Sequence, residues 1–435
     1  MKNHIMHKLI LAAIMLVITA SANVIKAQPR FDECFADSTL RLDYIFSGNA
    51  SHQKISVDKL CLMPRWYGKK AHLDELPMEG NGQITVRDAK TNAVIYRNSF
   101  STLFQEWLTY DEAKHVDKAF ENVFLIPMPK NTVKVTVDLM DNRRQVMCSM
   151  THTVVPNDIL IRHIGFSHVT PYTTIQAAKD TTKCIHIAYV AEGYTEAEMD
   201  VFLKDVKLAN EAMFSHEPFK ELRDRFNVVA VCSPSAESGT SEPSKGVWKS
   251  TALGSHFDTF YSDRYLTTLN LKDLHNVLAG TPYEHIIVLV NTSEYGGGGI
   301  LNSYNLSMTH HPLFQKVVVH EFGHSFAGLA DEYAYEQEQL SIHPLDIEPW
   351  EPNITSLVNF KGKWENLLPK KYEVPTPVVG NKKKIGLYEG AGYQMKGMYR
   401  GQEDCRMRSN NVPYFCTICQ NHLRNLIRFY TECRD

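Results

Sequence analysis

Beyond its first 27 residues the 435-residue sequence has no apolar run of membrane-spanning length, no low-complexity tract and no long block of like charge. A bilayer core requires roughly 20 consecutive apolar residues, so the body of the chain is not an integral membrane protein. With 43% hydrophobic and 22% charged residues and no biased segment, the composition is that of a folded chain rather than a disordered one. A basic excess is also lacking: 46 Lys and Arg stand against 49 Asp and Glu. Without a positive surplus there is no electrostatic footprint for nucleic acid, and none is expected as a partner. The length suggests two or three structural units.

The N-terminus departs from this pattern. MKNHIMHKLILAAIMLVITASANVIKAQ combines Lys2 and Lys8, an apolar run from Leu9 to Ala20 and small-residue sites ending at Ala22 or Ala27. These are the features of a secretory signal peptide; the competing reading, a membrane anchor, needs a longer apolar span. Cleavage after Ala27 removes Lys2, Lys8 and Lys26 and no acid, changing 46 against 49 into 43 against 49, a formal charge of −6. The mature chain is expected outside the cytoplasm, secreted or at the periplasm or cell surface, with no integral membrane segment left.

All nine cysteines lie in the exported part, at positions 34, 61, 148, 184, 232, 405, 416, 419 and 433. An oxidising compartment permits disulfides, although the odd count leaves at least one thiol unpaired. Cys405, Cys416, Cys419 and Cys433 cluster near the C-terminus and include the pair CTIC. One or two local disulfides are expected there ahead of a four-cysteine zinc knot, with free thiols as a third reading.

From Phe31 to Val155 the pattern is strand-like. In TVKVTVDLM, Val133, Val135, Val137 and Leu139 alternate with Lys134, Thr136 and Asp138, the mark of half-buried antiparallel strands. ITVRD and AVIYR read likewise, and EGNGQ and MDNRR are turn signals, which together suit a β-sandwich of immunoglobulin-like size over residues 28–155. Trp66, Tyr67 and Trp107 are read as core rather than as a binding face.

After VVPND the grammar changes. CIHIAYVAEGYT is a continuous apolar strand followed by a glycine turn, and Thr195 with Glu198 forms a capping box ahead of a helix bearing Phe202, Val206, Ala209 and Met213. RFNVVAVCS, a helical stretch from Leu266 to Ala279 and HIIVLVN follow. Strand alternating with helix implies a largely parallel sheet, so residues 156–435 form an α/β unit behind an all-β one, α/β (α+β) overall. The proline-bearing stretch 350–379 is expected to be loop.

The chemistry resides in VVVHEFGHSFAGLADEY, residues 317–333. Pro312 suits the start of a helix and Gly328 its end. His320 and His324 then stand one turn apart on one face, the spacing with which two imidazoles hold one Zn²⁺. Glu321 points about 100° round the helix and is free to act as a base. The bland alternative, a surface helix with incidental histidines, fits poorly with the apolar Val317–Val319 run and the acids that follow. A catalytic zinc wants three protein ligands and lowers the pKa of water to about 7. As in zinc peptidases of the metzincin type, an acid or histidine position falls three residues after the helix-ending glycine. That position is Asp331, although the segment is one residue longer than the usual HExxHxxGxxH. Glu332 is next in order, and a remote glutamate at Glu336, Glu338 or Glu348 is the third option. YGGGGILNSYNL, residues 295–306, suits either an edge strand that pairs with an extended peptide or a plain loop. Met407 in CRMRSN suits a methionine-containing turn beneath the site or simple core packing.

HEFGHSFAGLADEY, GLYEGAGYQMKGMYRGQEDCRMRSN at residues 386–410 and FCTIC at 415–419 together resemble the bacterial immunoglobulin A metallopeptidase family over residues 165–430, and the β-rich unit is similar to the family's N-terminal domain. The resemblance implies a metzincin-like zinc peptidase domain with a mostly parallel twisted sheet and an active-site helix, acting on protein or peptide substrates. It implies His320, His324 and Asp331 as metal ligands, Glu321 as general base and Met407 as the turn methionine. Immunoglobulin A or another host or mucosal glycoprotein is the corresponding substrate expectation. Tyr399, or Arg400 beside it, is a candidate for holding the oxyanion of the tetrahedral intermediate. Cys34 is a candidate thiol for masking the zinc. The chief competing reading is an inactive peptidase-like adhesin or glycan-binding module, against which the retention of Glu321 argues. Hydrolysis of a non-peptide amide is a third. Oligomeric state is not legible.

Overall fold

The computed structural model describes residues 28–335, 342–378 and 380–432. The expected signal segment 1–27, together with Glu336, Glu338 and Cys433, lies outside the described residues.

The N-terminal part is β-rich. Strands β1 (Phe35–Gly48), β2 (Gln53–Pro64), β3 (Gly82–Asp88), β4 (Val94–Phe100), β5 (Lys118–Pro129), β6 (Val133–Met140) and β7 (Val146–Val154) are joined by a short β8 (Arg162–His163). They form two four-stranded sheets, ordered β5-β1-β2-β8 and β4-β3-β6-β7. The alternation read in the sequence is that of β6, where Val133, Val135, Val137 and Leu139 are buried and face a common core with Leu42, Tyr44 and Phe46 of β1. Trp66 and Trp107 are buried in the same core, so they fill the interior and present no binding face. Because β8 runs parallel to β2, with Cys61 opposite Arg162, the first sheet uses residues past 155.

A six-stranded sheet follows, ordered β13-β14-β12-β10-β11-β9, from β9 (Tyr172–Gln176), β10 (Ile185–Glu192), β11 (Phe226–Val231), β12 (His285–Val290), β13 (Gly297–Ile300) and β14 (Tyr304–Met308). The central pairs β10/β11, β10/β12 and β12/β14 are parallel, and the edge strands β9 and β13 pair antiparallel. Every residue of β10 is buried, as its unbroken apolar run requires of a strand covered on both faces. The Thr195–Glu198 capping box is present, the Thr195 amide donating to Glu198 Oε2 at 2.8 Å, and leads into helix α1 (Met199–Phe214). Helix α2 spans only Leu271–Val277 instead of the expected 266–279. Its first residues are diverted by local bonds: Thr267 exchanges both backbone bonds with His256, and the Thr268 hydroxyl donates to the Leu253 carbonyl. Side-chain hydroxyls compete with helix formation in this way.

Helix α3 (Phe314–Ala327) carries the two histidines and ends at Gly328 in the left-handed conformation, φ 57°. Pro312 sits in the turn before it rather than at its first residue. Among its described residues, stretch 350–379 contains only β15 (Ile354–Thr355) and two short 3-10 turns. A small sheet β15-β17-β16, with β16 (Tyr388–Ala391) and β17 (Gln394–Arg400), precedes the C-terminal helix α4 (Thr417–Thr431). Among the described residues no cysteine is bonded to another, and Cys433, the fourth member of the C-terminal cluster, lies outside them.

One apolar core runs from the β-sandwich into one face of the six-stranded sheet, joining Leu42 and Val137 to Val190, Val288 and Leu306. The other face packs against α1, α3 and α4. Buried Arg41 bonds Asp43 of its own strand at 2.6 Å and reaches Asn276 of α2 at 2.8 Å, so the two units share polar as well as apolar contacts.

The glycine run between β12 and β14 has a steric cause. A Cβ at Gly297 would meet Glu321 Oε1 at 3.1 Å, and one at Gly299 would lie 2.4 Å from the Glu321 carbonyl oxygen. On the opposite side, a Cβ at Gly298 would meet the Tyr265 ring at 2.7 Å. Close approach to α3, rather than flexibility, explains the glycines. Gly299→Ala is expected to lower stability by about 1–3 kcal/mol, the usual cost of overpacking against backbone, measured by chemical denaturation. An unchanged midpoint would refute the close-packing account.

Candidate active site

On α3, four residues of separation bring His320 and His324 to one face, with their Nε2 atoms 3.1 Å apart. Asp331 Oδ1 lies 3.1 Å from His320 Nε2 and 3.3 Å from His324 Nε2. The other ring nitrogens are engaged away from this point: His320 Nδ1 bonds the Arg406 carbonyl at 3.1 Å, and His324 Nδ1 bonds the Leu329 carbonyl at 2.5 Å. A carbonyl only accepts, so each Nδ1 carries a proton and each Nε2 is the atom turned to the shared point, able to coordinate a metal once it has lost its own proton. Donors bound to one tetrahedral metal at about 2.0–2.1 Å stand about 3.3 Å from one another. The three atoms fit that spacing, and the donor set, two imidazoles and a carboxylate, is one that binds zinc.

The sequence one residue longer than the usual motif is accommodated by the turn after α3. The Gly328 amide donates to the His324 carbonyl at 2.9 Å and the Leu329 amide to Gly323 at 3.2 Å, which folds the chain back across the end of the helix. Asn353 then grips Ala330 through both its backbone amide and carbonyl, at 2.8 and 2.9 Å. The Asp331 carbonyl accepts from the Gly392 amide at 2.9 Å, and Tyr393 Oη donates a short hydrogen bond to Asp331 Oδ2. Tyr333 Oη stands 3.1 Å from Tyr393 Oη and continues the chain of phenols.

Charge is concentrated here under little solvent. Burial works to raise the Asp331 carboxyl, but His324 and His320 beside it hold it well below the usual carboxylate range. Burial opposes the charged form of His324 as well, yet Asp331 and Glu321 raise it to about 9. Glu321 is pushed up by burial, with His320 and His324 partly opposing the shift. An elevated carboxylate pKa is what a base working near neutral pH requires.

Met407 lies directly under the helix: a Cβ at Gly323 would stand 2.7 Å from its sulfur. Its carbonyl accepts from the Glu332 amide at 2.9 Å, which ties the methionine turn to the segment bearing Asp331. Thus the structure brings His320, Glu321, His324, Asp331 and Met407 together.

Tyr399 is not brought there. It sits on β17 opposite Glu389 and Thr355, and its charged neighbours are Glu389 and Lys396. Arg400 is buried and committed to the Glu389 and Gly390 carbonyls and to Glu403 at 2.6 Å. Cys34 lies in the β-sandwich among Glu33, Asp88, Asp32 and Lys130. Glu332 points away from the histidines toward cysteines, because successive residues of an extended segment face opposite sides. Glu348 pairs with Lys363 at 2.9 Å. The partner missed from sequence is Tyr393, 62 residues from Asp331, a separation at which no local pattern exists. Tyr295, half-exposed with Glu321 and Asp331 among its charged neighbours, was missed likewise.

Two family profiles match the chain. That of the IgA peptidase M64 covers residues 173–384 and 379–427, and that of the peptidase M64 N-terminus covers residues 30–151. The chain belongs to the IgA peptidase M64 family. It is therefore a metallopeptidase, a hydrolase acting on the peptide bonds of protein or peptide substrates. No curated protein matches the chain significantly. No helix among the described residues is long and apolar enough to cross a membrane.

Removing a partner of a metal-ligating carboxylate typically costs 10–100-fold in metal affinity. Tyr393→Phe in this M64 peptidase is accordingly expected to weaken metal retention about 10–100-fold in a chelator competition, whereas Tyr399→Phe leaves it unchanged. Equal effects of the two would refute the assignment of Tyr393 to Asp331.

Proposed function

We propose that this M64 peptidase is an exported, metzincin-like zinc endopeptidase in which His320, His324 and Asp331 hold the metal and Glu321 is the general base. The observation that carries the reading is the convergence of two imidazole Nε2 atoms and one carboxylate oxygen, with both Nδ1 atoms turned to backbone carbonyls.

When bound there, zinc supplies Lewis acidity to the attacking water and to the scissile carbonyl. Glu321 takes the proton of that water on one carboxylate oxygen and delivers it to the departing amine nitrogen, so the peptide bond breaks with no net proton change at the residue. Its burial raises the carboxyl above its ordinary range, with the two histidines partly opposing the shift, which favours its acting as the base. Asp331 balances charge at the metal, and Tyr393 keeps it oriented. Met407 supports the helix under Gly323, the role implied for the turn methionine.

Substrate alignment follows from β13. It forms one edge of the six-stranded sheet and passes over Glu321 at Gly297. Tyr265 already bridges that edge at Gly297, so an extended peptide can add by main-chain bonds only beyond it, toward Gly299 and Ile300 beside the base. Main-chain pairing selects extended, unfolded or hinge-like segments rather than a defined sequence. That is compatible with immunoglobulin A or with other host or mucosal glycoproteins, whose exposed linkers are extended. Tyr295 is better placed than Tyr399 to donate to a developing oxyanion.

The experiment compares Glu321→Gln with wild type on an unfolded protein, immunoglobulin A and a mucin-type glycoprotein. Glu321→Gln should keep its metal and lose about 10²–10⁴-fold in turnover on whichever substrate the wild type cuts. Unaltered turnover in Glu321→Gln would reject the base, and zinc retention after His320→Ala with His324→Ala at the histidine cluster would reject the ligand set.

A further inference from the structure

A second group of metal-binding side chains lies behind the first, and the peptidase reaction makes no use of it. Glu332 leaves the segment after α3 on the side opposite the histidines and meets Cys405, Cys416 and Cys419, their donor atoms all within 4.8 Å of one another. Cys419 Sγ stands 3.5 Å from Cys416 Sγ, 3.7 Å from Cys405 Sγ and 3.2 Å from Glu332 Oε1, and Cys416 Sγ stands 3.7 Å from the same oxygen.

These distances are too long for disulfides, which need about 2.05 Å between sulfurs. They suit four donors around one ion. With metal–sulfur bonds of about 2.3 Å and a metal–oxygen bond of about 2.0 Å, a tetrahedron sets sulfurs about 3.8 Å apart and sulfur to oxygen about 3.5 Å. We propose that Glu332, Cys405, Cys416 and Cys419 form a second, structural zinc site that clamps the segment after α3, the methionine turn and the start of α4 together.

Three observations support the assignment independently of zinc at the histidines. All four residues are at most 1% exposed, and Glu332 Oε2 has no hydrogen-bond partner. A buried carboxylate with an unpaired oxygen is unfavourable unless a cation compensates it. The sulfurs also accept backbone amides: Cys405 Sγ from Cys416 at 3.2 Å and from Met407 at 3.4 Å, and Cys416 Sγ from Cys419 at 3.5 Å. Amides aimed at sulfur stabilise thiolate, the form that binds metal. Finally, a Cys416–Cys419 disulfide would use two sulfurs and leave Cys405 and Glu332 stranded, whereas one zinc uses all four donors.

Binding releases the thiol protons to solvent and leaves an anionic centre. The N-terminus of α4, capped by Cys416, and the Arg400 guanidinium near Glu332 offset that charge. Four protein donors leave no open position, which marks a structural rather than a catalytic ion. The consequence for the active site is mechanical. Glu332 adjoins Asp331 in sequence, and Cys405 bonds the amide of Met407, so a metal here fixes both the third ligand and the turn beneath α3.

The test uses the full mature chain in wild-type, His320→Ala/His324→Ala and Cys416→Ser/Cys419→Ser forms, each analysed for zinc after dialysis and for its spectrum with cobalt(II). Wild type should hold about two zinc ions per chain and the histidine variant about one. The histidine variant should show the near-ultraviolet thiolate-to-cobalt charge-transfer band. If the cysteine variant fails to fold, that band still decides the matter. A histidine variant without zinc and without the band, or one whose peptide mass map contains a Cys416–Cys419 disulfide, overturns the second site. Wild type with one zinc that the histidine variant loses overturns it while leaving the histidine ligands intact. A histidine variant that keeps every zinc ion of the wild type supports the cysteine site and overturns the histidine ligands instead.

Discussion

The structure depends on a buried carboxylate held between two imidazoles. Asp331 lies about 3 Å from both His320 and His324 in a place with little solvent, where an unpaired charge would be costly to keep. Each surrounding element relieves that cost. Tyr393 bonds the outer oxygen, Asn353 fixes the preceding residue, and Gly392 binds the Asp331 carbonyl. The turn at Gly328 is what lets the chain return over the helix end, because its left-handed φ is strained for residues bearing a Cβ.

Support for the helix comes from both sides. Gly297 and Gly299 let an edge strand lie against Glu321 and its carbonyl, while Gly323 lets the Met407 sulfur come up from below. Removing the side chain at each contact brings rigid groups together, so position is set by backbone and sulfur rather than by adjustable side chains. The β-sandwich contributes at longer range. Its core is continuous with one face of the six-stranded sheet, and Arg41 joins its first strand to α2, so it acts as a wall for the peptidase unit.

How much was legible depended on distance along the chain. The alternation of β6, the buried run of β10, the capping box at Thr195 and the histidine pair of α3 all rest on neighbours within a turn or two, and such neighbours are visible in a linear text. The length of α2 was misjudged because apolar spacing around Leu266 looked helical, whereas Thr267 and Thr268 spend their bonds on His256 and Leu253. Tyr399 was singled out as a candidate oxyanion donor and Tyr393 was not noticed at all, for want of register. Only the pairing of β16 with β17, and the turn between them, decides which tyrosine meets Asp331.

The cysteines show the same division from the other direction. Their clustering was evident, and an oxidising compartment made disulfides the natural expectation, but the fourth member of the group is Glu332, more than 70 residues from Cys405. By itself the sequence determined the candidate metal-ligand types and spacing of residues 320 to 324, the β-rich character of the first unit and the largely parallel α/β character of the second, because each follows from short-range periodicity or from fixed helical geometry. Tertiary structure alone decided which acid faces the histidines and which faces the cysteines. Asp331 and Glu332 are adjacent and chemically alike, and only the path of an extended segment between two preformed clusters sends one side chain to each.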